Sequence, residues 1–244
     1  LASALAANEQ ALPDVRTLTG SAPVGTPERA GAAERVARSV REFLDRVTGS
    51  ADPLLGPTLI LSAPADATGE AITAGRVDAA ISADPATPAV DPNVVTALAG
   101  SSVVQQSLRT RQPAQSAGVA GGQALALAAA PIAPSPTEFL GVVLVTSRLD
   151  DTYLTVRAAP IVSEDSGVGV ALVGRDAVLA AAGPRLDDDS SQALAAAALD
   201  GSGATTRDVD GRLAVARPVM AADGAPVMAF VLSVPRSQID AARE

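Results

Sequence analysis

Apolar residues recur with a helical period in the first part of the chain and as short strand-like runs in the rest. Over residues 34–47 an apolar residue appears at every third or fourth position, while arginine and acidic residues fill the opposite face. This spacing predicts an amphipathic helix, for which Thr26-Pro27 supplies an N-cap and a first-turn proline and Gly49 a C-terminal stop. A weaker helical pattern covers residues 1–18. Residues 1–48 are therefore predicted to form a helical region.

The middle of the chain contains a clear strand, a clear helix and a segment of uncertain structure. Residues 58–62 form an apolar run between two prolines, which predicts a short buried strand. Asp91-Pro92 begins a helix that extends to Leu108 with an interruption near Gly100. Residues 63–92 are rich in Pro, Asp and Ala, and within them residues 79–82 suggest a strand.

The last third of the chain predicts alternating strands and helices. A buried strand over residues 168–173 is followed by a tight turn and an antiparallel return over residues 177–182. An alanine-rich helix follows at 190–199. Further strands are predicted at 205–209, 212–217 and 227–233. This order predicts an α+β fold in which helices cover one face of an antiparallel sheet.

One pattern occurs twice in the chain, 87 positions apart. Each copy begins with a proline, at Pro131 and at Pro218, and continues through a polar turn into an apolar run. The two copies align without a gap, so that Val143 falls on Phe230. Coincidence between two ordinary hairpins is the alternative. We interpret the repeat as two copies of a small antiparallel-sheet module with a boundary near 160–166 and a crossing segment at 161–166.

The composition excludes most catalytic chemistry. The chain has no His, Cys, Trp or Lys, and all 18 basic residues are Arg. General bases of the histidine type, thiol nucleophiles, the usual zinc ligands, lysine Schiff bases and the P-loop lysine are therefore missing. No Gly-x-Ser-x-Gly motif is present. We predict no catalytic residue and no cofactor; a hydrolase built from Ser and carboxylates remains an alternative.

Charge and hydropathy bear on the partners of the chain. The net charge of −9 argues against nucleic acid as a partner, because phosphate binding needs clustered cations. No apolar run reaches the length of a membrane span. The apolar residues 1–7 have helical spacing, as if they continued a helix from upstream, and residues 239–244 stop within a helical pattern. Helical patterns that run to both ends are expected for a domain taken from between two membrane helices, or for a fragment trimmed in another way.

Two segments resemble the Cache sensor domains, which have a PAS-like fold. Residues 170–179, Val-Ala-Leu-Val-Gly-Arg-Asp-Ala-Val-Leu, resemble the paired first strands of such domains. The ending, with Ala216 to Val219, Asp223-Gly224 and Phe230 to Ser233, is similar to their last hairpin. Residues 149–154 resemble the linker after the distal module of double-Cache sensors. The resemblance covers residues 91–240.

The resemblance implies a fold and a location. It implies an α+β fold with a long N-terminal helix (1–48), a membrane-distal PAS-like module (49–160), and a membrane-proximal PAS-like module with an exit helix (161–244). It also implies an extracytoplasmic, non-catalytic sensing domain of a bacterial receptor. Transmembrane helices would flank it, a homodimer could form through the N-terminal helix, and a kinase, cyclase, phosphatase or chemotaxis output would lie elsewhere. The alternative is a cell-envelope module that binds protein or has a structural role, without a small ligand.

The candidate ligand-binding residues follow from the same interpretation. A small polar or anionic ligand is expected, because Arg is the only cation available and pairs bidentately with carboxylates. Arg109, Arg111 and Gln123 are the candidates in the distal module, and Arg217 is the candidate in the proximal one.

Three other segments have a simpler structural explanation. Residues 187–189 are more consistent with an acidic first turn of a helix than with a cation site. Residues 208–211 predict a hairpin turn in preference to a calcium loop. Residues 118–122 predict a loop between a helix and a strand in preference to a phosphate cradle, since no lysine follows. No metal site is predicted.

Overall fold

The computed structural model describes residues 1–20, 25–48, 54–84, 89–162, 166–201 and 203–241. The chain divides into two compact units. The first unit contains Leu1–Ser116 and Ala126–Ser147, and the second contains Ala117–Leu125 and Arg148–Glu244. The predicted domain boundaries at residues 49 and 161 remain a prediction, and residues 163–165 of the predicted crossing segment lie outside the described residues.

The N-terminal region is helical, as predicted. Its helices are α1 (Ala2–Ala6), a 3-10 turn (Glu9–Ala11), α2 (Leu12–Thr19) and α3 (Pro27–Thr48). Helix α3 begins at the predicted proline and is longer than the amphipathic stretch that identified it. The carbonyl of Thr26 accepts the Ala30 N–H at 3.0 Å, but the Thr26 hydroxyl is buried without a hydrogen-bond partner. The expected side-chain cap is therefore wrong, although the helix starts where expected; Gly49 lies outside the described residues.

The first sheet has five strands in the order β2-β1-β5-β4-β3. The strands are β1 (Leu55–Ser62), β2 (Arg76–Ile81), β3 (Ala114–Ala120), β4 (Gln123–Ile132) and β5 (Gly141–Arg148). Helices α4 (Pro92–Ala99) and α5 (Ser102–Thr110) connect β2 to β3. The predicted helix break near Gly100 is confirmed, and Asp91 caps α4 by accepting the Asn93 N–H at 2.8 Å.

One glycine-rich segment was assigned incorrectly from the sequence. Residues 118–120, predicted to be loop, are the end of strand β3, and Gly121 and Gly122 form the turn into β4. Both turn glycines have positive φ, 58° and 72°, a conformation that glycine adopts without a Cβ penalty. A strand of small residues can be identified only from its pairing with β4, which the local sequence does not encode.

The second sheet repeats the strand order of the first, β7-β6-β10-β9-β8. Its strands are β6 (Gly169–Val173), β7 (Val178–Ala182), β8 (Thr205–Val209), β9 (Arg212–Met220) and β10 (Pro226–Pro235). The unit also contains α6 (Asp151–Ala158) before the sheet, α7 (Asp188–Gly201) between β7 and β8, and α8 (Arg236–Ala241) after it. The predicted α+β fold, a long N-terminal helix with two antiparallel-sheet modules, is confirmed.

The internal repeat falls on equivalent strands. Its apolar runs are β5 and β10, the central strands of the two sheets. Val143 packs in the apolar core formed with α1, α2 and α3, on the face of the first sheet next to those helices. Phe230 lies in the core cluster that contains Leu154 of α6, not in the cluster beneath α7. The sequence repeat, which aligns Val143 with Phe230, therefore aligns β5 with β10, the equivalent strands of the two sheets.

Each unit has its own apolar core. In the first, Leu18, Val36 and Val40 are almost fully buried against sheet residues such as Ile60 and Val143. In the second, α7 packs through small residues onto one sheet face, with Ala195, Ala198, Ala214, Ala216 and Ala229 at 0 % exposure. Across the described part of the chain, no helix has both the length and the apolar character of a membrane span.

Candidate functional site

Arg109 and Arg111 lie at the C-terminal end of α5 and are exposed. Arg111 has φ 55°, a left-handed conformation that is uncommon outside glycine. Its N–H donates to the Ser107 carbonyl at 2.9 Å, so that the residue ends the helix. Its guanidinium lies 5.2 Å from the centre of the Phe139 ring, within cation–π range. The aromatic ring thus fixes one face of a cation whose other face is open to solvent.

Gln123 lies at the opposite end of strand β3 from these arginines. It is the first residue of β4, after the Gly121-Gly122 turn, and is exposed. Strand β3 has seven residues, a length of about 23 Å at 3.3 Å per residue. The division into units also assigns Gln123 to the second unit and Arg109 and Arg111 to the first. The fold does not bring the three distal candidates together.

Arg217 lies within strand β9, which continues to Met220, and not at the end of the strand. It pairs with Phe230 in the register of β9 and β10, so the two side chains share a sheet face. Phe230 belongs to the core cluster on the α6 side, while Arg217 is exposed at the margin of that cluster. As at Arg111, an arginine without a carboxylate partner among the described contacts neighbours an aromatic residue, here through the pairing of β9 with β10.

A groove in the second unit follows the outer edge of β7. It has a volume of about 460 Å³ and is lined by residues 178–183. Asp151 and Thr155 of α6, together with Arg185 and Asp188, also line it. Asp151 accepts the Ala181 N–H at 2.7 Å, and Arg185 is paired with Asp188. The groove was missed from the sequence, where residues 149–154 appear as a linker and nothing local relates Asp151 to a strand 30 positions away.

A buried ionic cluster joins α3 to the edge strand β2. Asp78 accepts from the guanidinium of Arg29 at 2.5 Å and from that of Arg76 at 3.1 Å. The Asp78 side chain is 0 % exposed, Arg29 is 7 % exposed and Arg76 30 %. Burial raises the pKa of the Asp78 carboxyl above its ordinary value, although Ser62 and both arginines act in the opposite direction. The cluster fixes the first turn of α3 on the sheet.

Asp78 owes its position to a β-bulge. In the pairing of β1 with β2, Ile60 pairs with Ala79 and Leu61 pairs with Val77, so Asp78 is the extra residue. A bulge re-aims a side chain relative to the normal alternation of a strand. The bulge places Asp78 beside Arg29, 49 positions away in sequence. The sequence suggested a strand only at residues 79–82, and nothing in it indicated a bulge at Asp78 or a contact with Arg29.

Arg212 is a structural arginine. Its Nη2 donates to the carbonyls of Gly167, Pro184 and Ser233 at 2.6, 2.8 and 3.2 Å, and to the Ser233 hydroxyl at 3.0 Å. Gly167 precedes β6, Pro184 follows β7 and Ser233 lies within β10, so the guanidinium ties these three segments together. With its donors directed at protein carbonyls, Arg212 is not oriented to hold a ligand.

The acidic segments have the structural roles expected of them. Asp187 accepts the Ser190 N–H at 2.8 Å and caps α7, whose first turn contains Asp188 and Asp189. Asp210 and Gly211, with φ 49° and 71°, form the β8–β9 turn. Within the described ranges, no group of three or more Asp or Glu residues is placed to hold a metal ion.

Asp187 gives a testable pH dependence. The hydrogen bond from the Ser190 backbone lowers the pKa of the Asp187 carboxyl. A carboxyl with a lower pKa in the folded state stabilises the fold above its unfolded pKa of about 3.9. That contribution is lost as the pH falls through the folded pKa. We expect the Asp187→Asn variant to melt below wild type at pH 7 and the difference in Tm to vanish in acid, in thermal melts from pH 7 to 2. A Tm difference that persists in acid would contradict this assignment.

No family model matches this sequence, and no curated protein matches it. Several solved structures are similar to it. The extracellular domain of mmHK1S-Z3, described as a histidine kinase, is 18 % identical, with a TM-score of 0.45 over 98 % of this chain and 92 % of that one. The periplasmic domain of LuxQ from Vibrio cholerae is 10 % identical, with a TM-score of 0.42 over 95 % and 94 %. The periplasmic domain of RsbU from Chlamydia trachomatis is 13 % identical, with a TM-score of 0.43 over 96 % and 92 %.

Proposed function

We propose that this chain is an extracytoplasmic sensor domain of a bacterial transmembrane receptor. The observation that supports it is the duplicated sheet. Two five-stranded sheets have the same strand order, follow a long N-terminal helix, and end in a strand that leads directly into α8. This is the arrangement implied by the resemblance of residues 91–240 to double-Cache sensors. The domain binds and transmits, while the output chemistry belongs to another part of the receptor.

The full-length gene provides the first test of this proposal. We expect membrane-spanning segments on both sides of residues 1–244 and a kinase, cyclase, phosphatase or chemotaxis domain on the cytoplasmic side. A gene that encodes a wall-anchored or secreted protein with no such output would favour the envelope-module alternative.

The ligand is proposed to be a small organic anion. The Arg111 guanidinium lies over the Phe139 ring, and the exposed Arg217 is the cross-strand partner of Phe230, so each places an exposed arginine near an aromatic residue. A planar guanidinium binds a carboxylate bidentately, and the ring can stack on the rest of a planar acid. Arg111 is the preferred site because Arg109 precedes it by two positions and adds a second positive charge at the end of α5.

A thermal-shift screen of organic acids tests the ligand. We expect at least one acid to raise the Tm of the wild-type protein, because binding stabilises by RT ln(1 + [L]/Kd), about 2.7 kcal/mol at a hundredfold excess over Kd. Arg111→Ala should abolish the shift if the first site is used, and Arg217→Ala if the second is. Arg38→Ala is the matched control, since Arg38 is exposed on α3, outside both sites. A shift that survives both substitutions, or no shift with any acid, would contradict the proposed ligand class.

A protein-binding role is the second candidate, and one observation favours it. The sheet face beneath α7 is filled by alanines with 0 % exposure, whereas the groove along β7 is accessible from outside. The second module therefore has an open groove that a peptide of a partner protein could occupy, whereas the space between α7 and the sheet is filled.

A further inference from the structure

Strand β7 is an edge strand whose outward backbone groups can be identified from its pairing. It lies at the end of the second sheet and pairs with β6, with Ala181 opposite Ala171. The Ala181 N–H donates to Asp151 and not to β6. Residues opposite each other in an antiparallel ladder exchange either both backbone bonds or neither. The Ala181 carbonyl therefore also points away from β6, into the groove.

This edge lacks the protection found on the corresponding strand of the first sheet. Native edges are commonly blunted by charged side chains, prolines or bulges. Strand β2 carries Arg76 and Asp78 and has its bulge at Asp78. Strand β7 reads Val-Leu-Ala-Ala-Ala, without charge or proline, and its bulge at Leu179 leaves the following alanines in regular pairing. Small side chains allow another backbone to approach closely.

The side chains around the edge give the groove a negative character. Asp151 and Asp188 contribute two carboxylates and Arg185 contributes one guanidinium, which is engaged by Asp188. Asp187 and Asp189 are the sequence neighbours of Asp188 at the start of α7. An extended chain that enters the groove with a basic side chain would meet the carboxylates of Asp151 and of the acidic start of α7.

We propose that the β7 groove binds an extended, basic peptide segment of a partner protein by strand addition. The peptide donates a backbone N–H to the Ala181 carbonyl, and its own carbonyl replaces Asp151 as the acceptor of the Ala181 N–H. The displaced Asp151 carboxylate then pairs with a lysine or arginine of the peptide. In the unbound protein Asp151 occupies the edge and accepts the outward N–H of Ala181. This inference is independent of the organic-anion site, because it uses different residues and a partner of opposite charge.

The test uses fluorescence polarisation with labelled hexapeptides. The probe has the sequence lysine-valine-threonine-valine-threonine-lysine, and a second peptide has glutamate in place of both lysines. A third is N-methylated at its four central residues, which removes the donors needed for strand addition. We expect saturable binding of the first peptide, with Kd values at least about tenfold higher for the other two, a difference of 1.4 kcal/mol. No saturable binding of the first peptide, or equal binding of the N-methylated one, would overturn the proposal.

Three variants locate the site on the protein. Ala181→Pro removes the outward N–H and places a ring at the edge without breaking a bond to β6, so it should fold and bind the lysine peptide at least about tenfold more weakly. Asp151→Asn keeps an acceptor for the Ala181 N–H but removes the charge. It should therefore weaken binding of the lysine peptide more than binding of a neutral analogue. Asp223→Asn, the same charge change at the β9–β10 turn, should leave binding unchanged. If Ala181→Pro has a native circular dichroism spectrum and unchanged affinity, the peptide does not bind along β7.

Discussion

Replacing Asp78 by alanine is expected to lower the free energy of unfolding of the first module by about 3–5 kcal/mol, the cost of removing one partner from a buried ion pair. The loss arises because Arg29, 7 % exposed, would keep its buried charge without the carboxylate that it contacts at 2.5 Å. Arg76 would also lose its carboxylate but retains the Thr19 carbonyl at 3.0 Å. The measurement is urea unfolding followed by circular dichroism, with hydrogen exchange in β2 and α3 to assign the loss to this module.

Two further variants separate the ionic cluster from a general effect of removing charge. Asp66→Ala removes an exposed carboxylate from the same module and should change the stability by less than about 0.5 kcal/mol, as surface substitutions usually do. Replacing Arg29, Arg76 and Asp78 together by apolar residues should cost less than Asp78→Ala alone, since no buried guanidinium is then left without the Asp78 carboxylate. A loss below about 1 kcal/mol for Asp78→Ala would mean that water reaches the cluster.

Burial raises the pKa of the Asp78 carboxyl and pairing with the arginines lowers it. The net shift determines how Asp78 affects the stability as the pH changes. Its pKa is raised in the folded state because burial outweighs Ser62 and the two arginines. An acid with a raised folded pKa binds more protons in the folded state, so its contribution to stability falls as the pH rises through that range. Asp187 has the opposite sign, because its pKa is lowered. The two carboxyls therefore change the stability with pH in opposite directions.

The elements that the sequence predicted correctly are those defined by local periodicity. Helix α3 was predicted from an apolar stripe at helical spacing, and the break between α4 and α5 from Gly100. The 87-residue repeat located β5 and β10 because both are apolar runs after a proline and a polar turn. In each case the pattern that specifies the element lies within the segment itself.

The features that the sequence did not predict depend on a partner strand or helix far along the chain. Asp78 meets Arg29 through a bulge that exists only when β1 pairs with β2. Asp151 meets Ala181 across 30 positions. Gln123 was grouped with Arg109 and Arg111 because they are neighbours in sequence, whereas β3 separates them by its whole length. Proximity in sequence is a poor guide to a site when a strand lies in between.

A single added methyl group is expected to have a large effect at Gly141, the first residue of β5. Gly141 has φ 152°, a conformation that residues with a side chain rarely adopt. A Cβ there would lie 2.1 Å from the Leu61 carbonyl oxygen and 3.0 Å from its carbon. These atoms belong to the backbone of β1, which is paired with β5, so they cannot move away without breaking the sheet. Gly141 therefore permits the close approach of two central strands.

Gly141→Ala is accordingly expected to lower the free energy of unfolding by about 4 kcal/mol, from backbone strain of about 1–3 kcal/mol and overpacking of about 1–3 kcal/mol. Gly69→Ala is the matched control, because Gly69 also has positive φ, 55°, but a Cβ there would have nothing within 4 Å. It should cost only the left-handed conformation, about 1–2 kcal/mol. Urea unfolding of both variants measures the difference, and equal losses would show that β1 yields to the extra methyl group and that the close approach at Gly141 is not required.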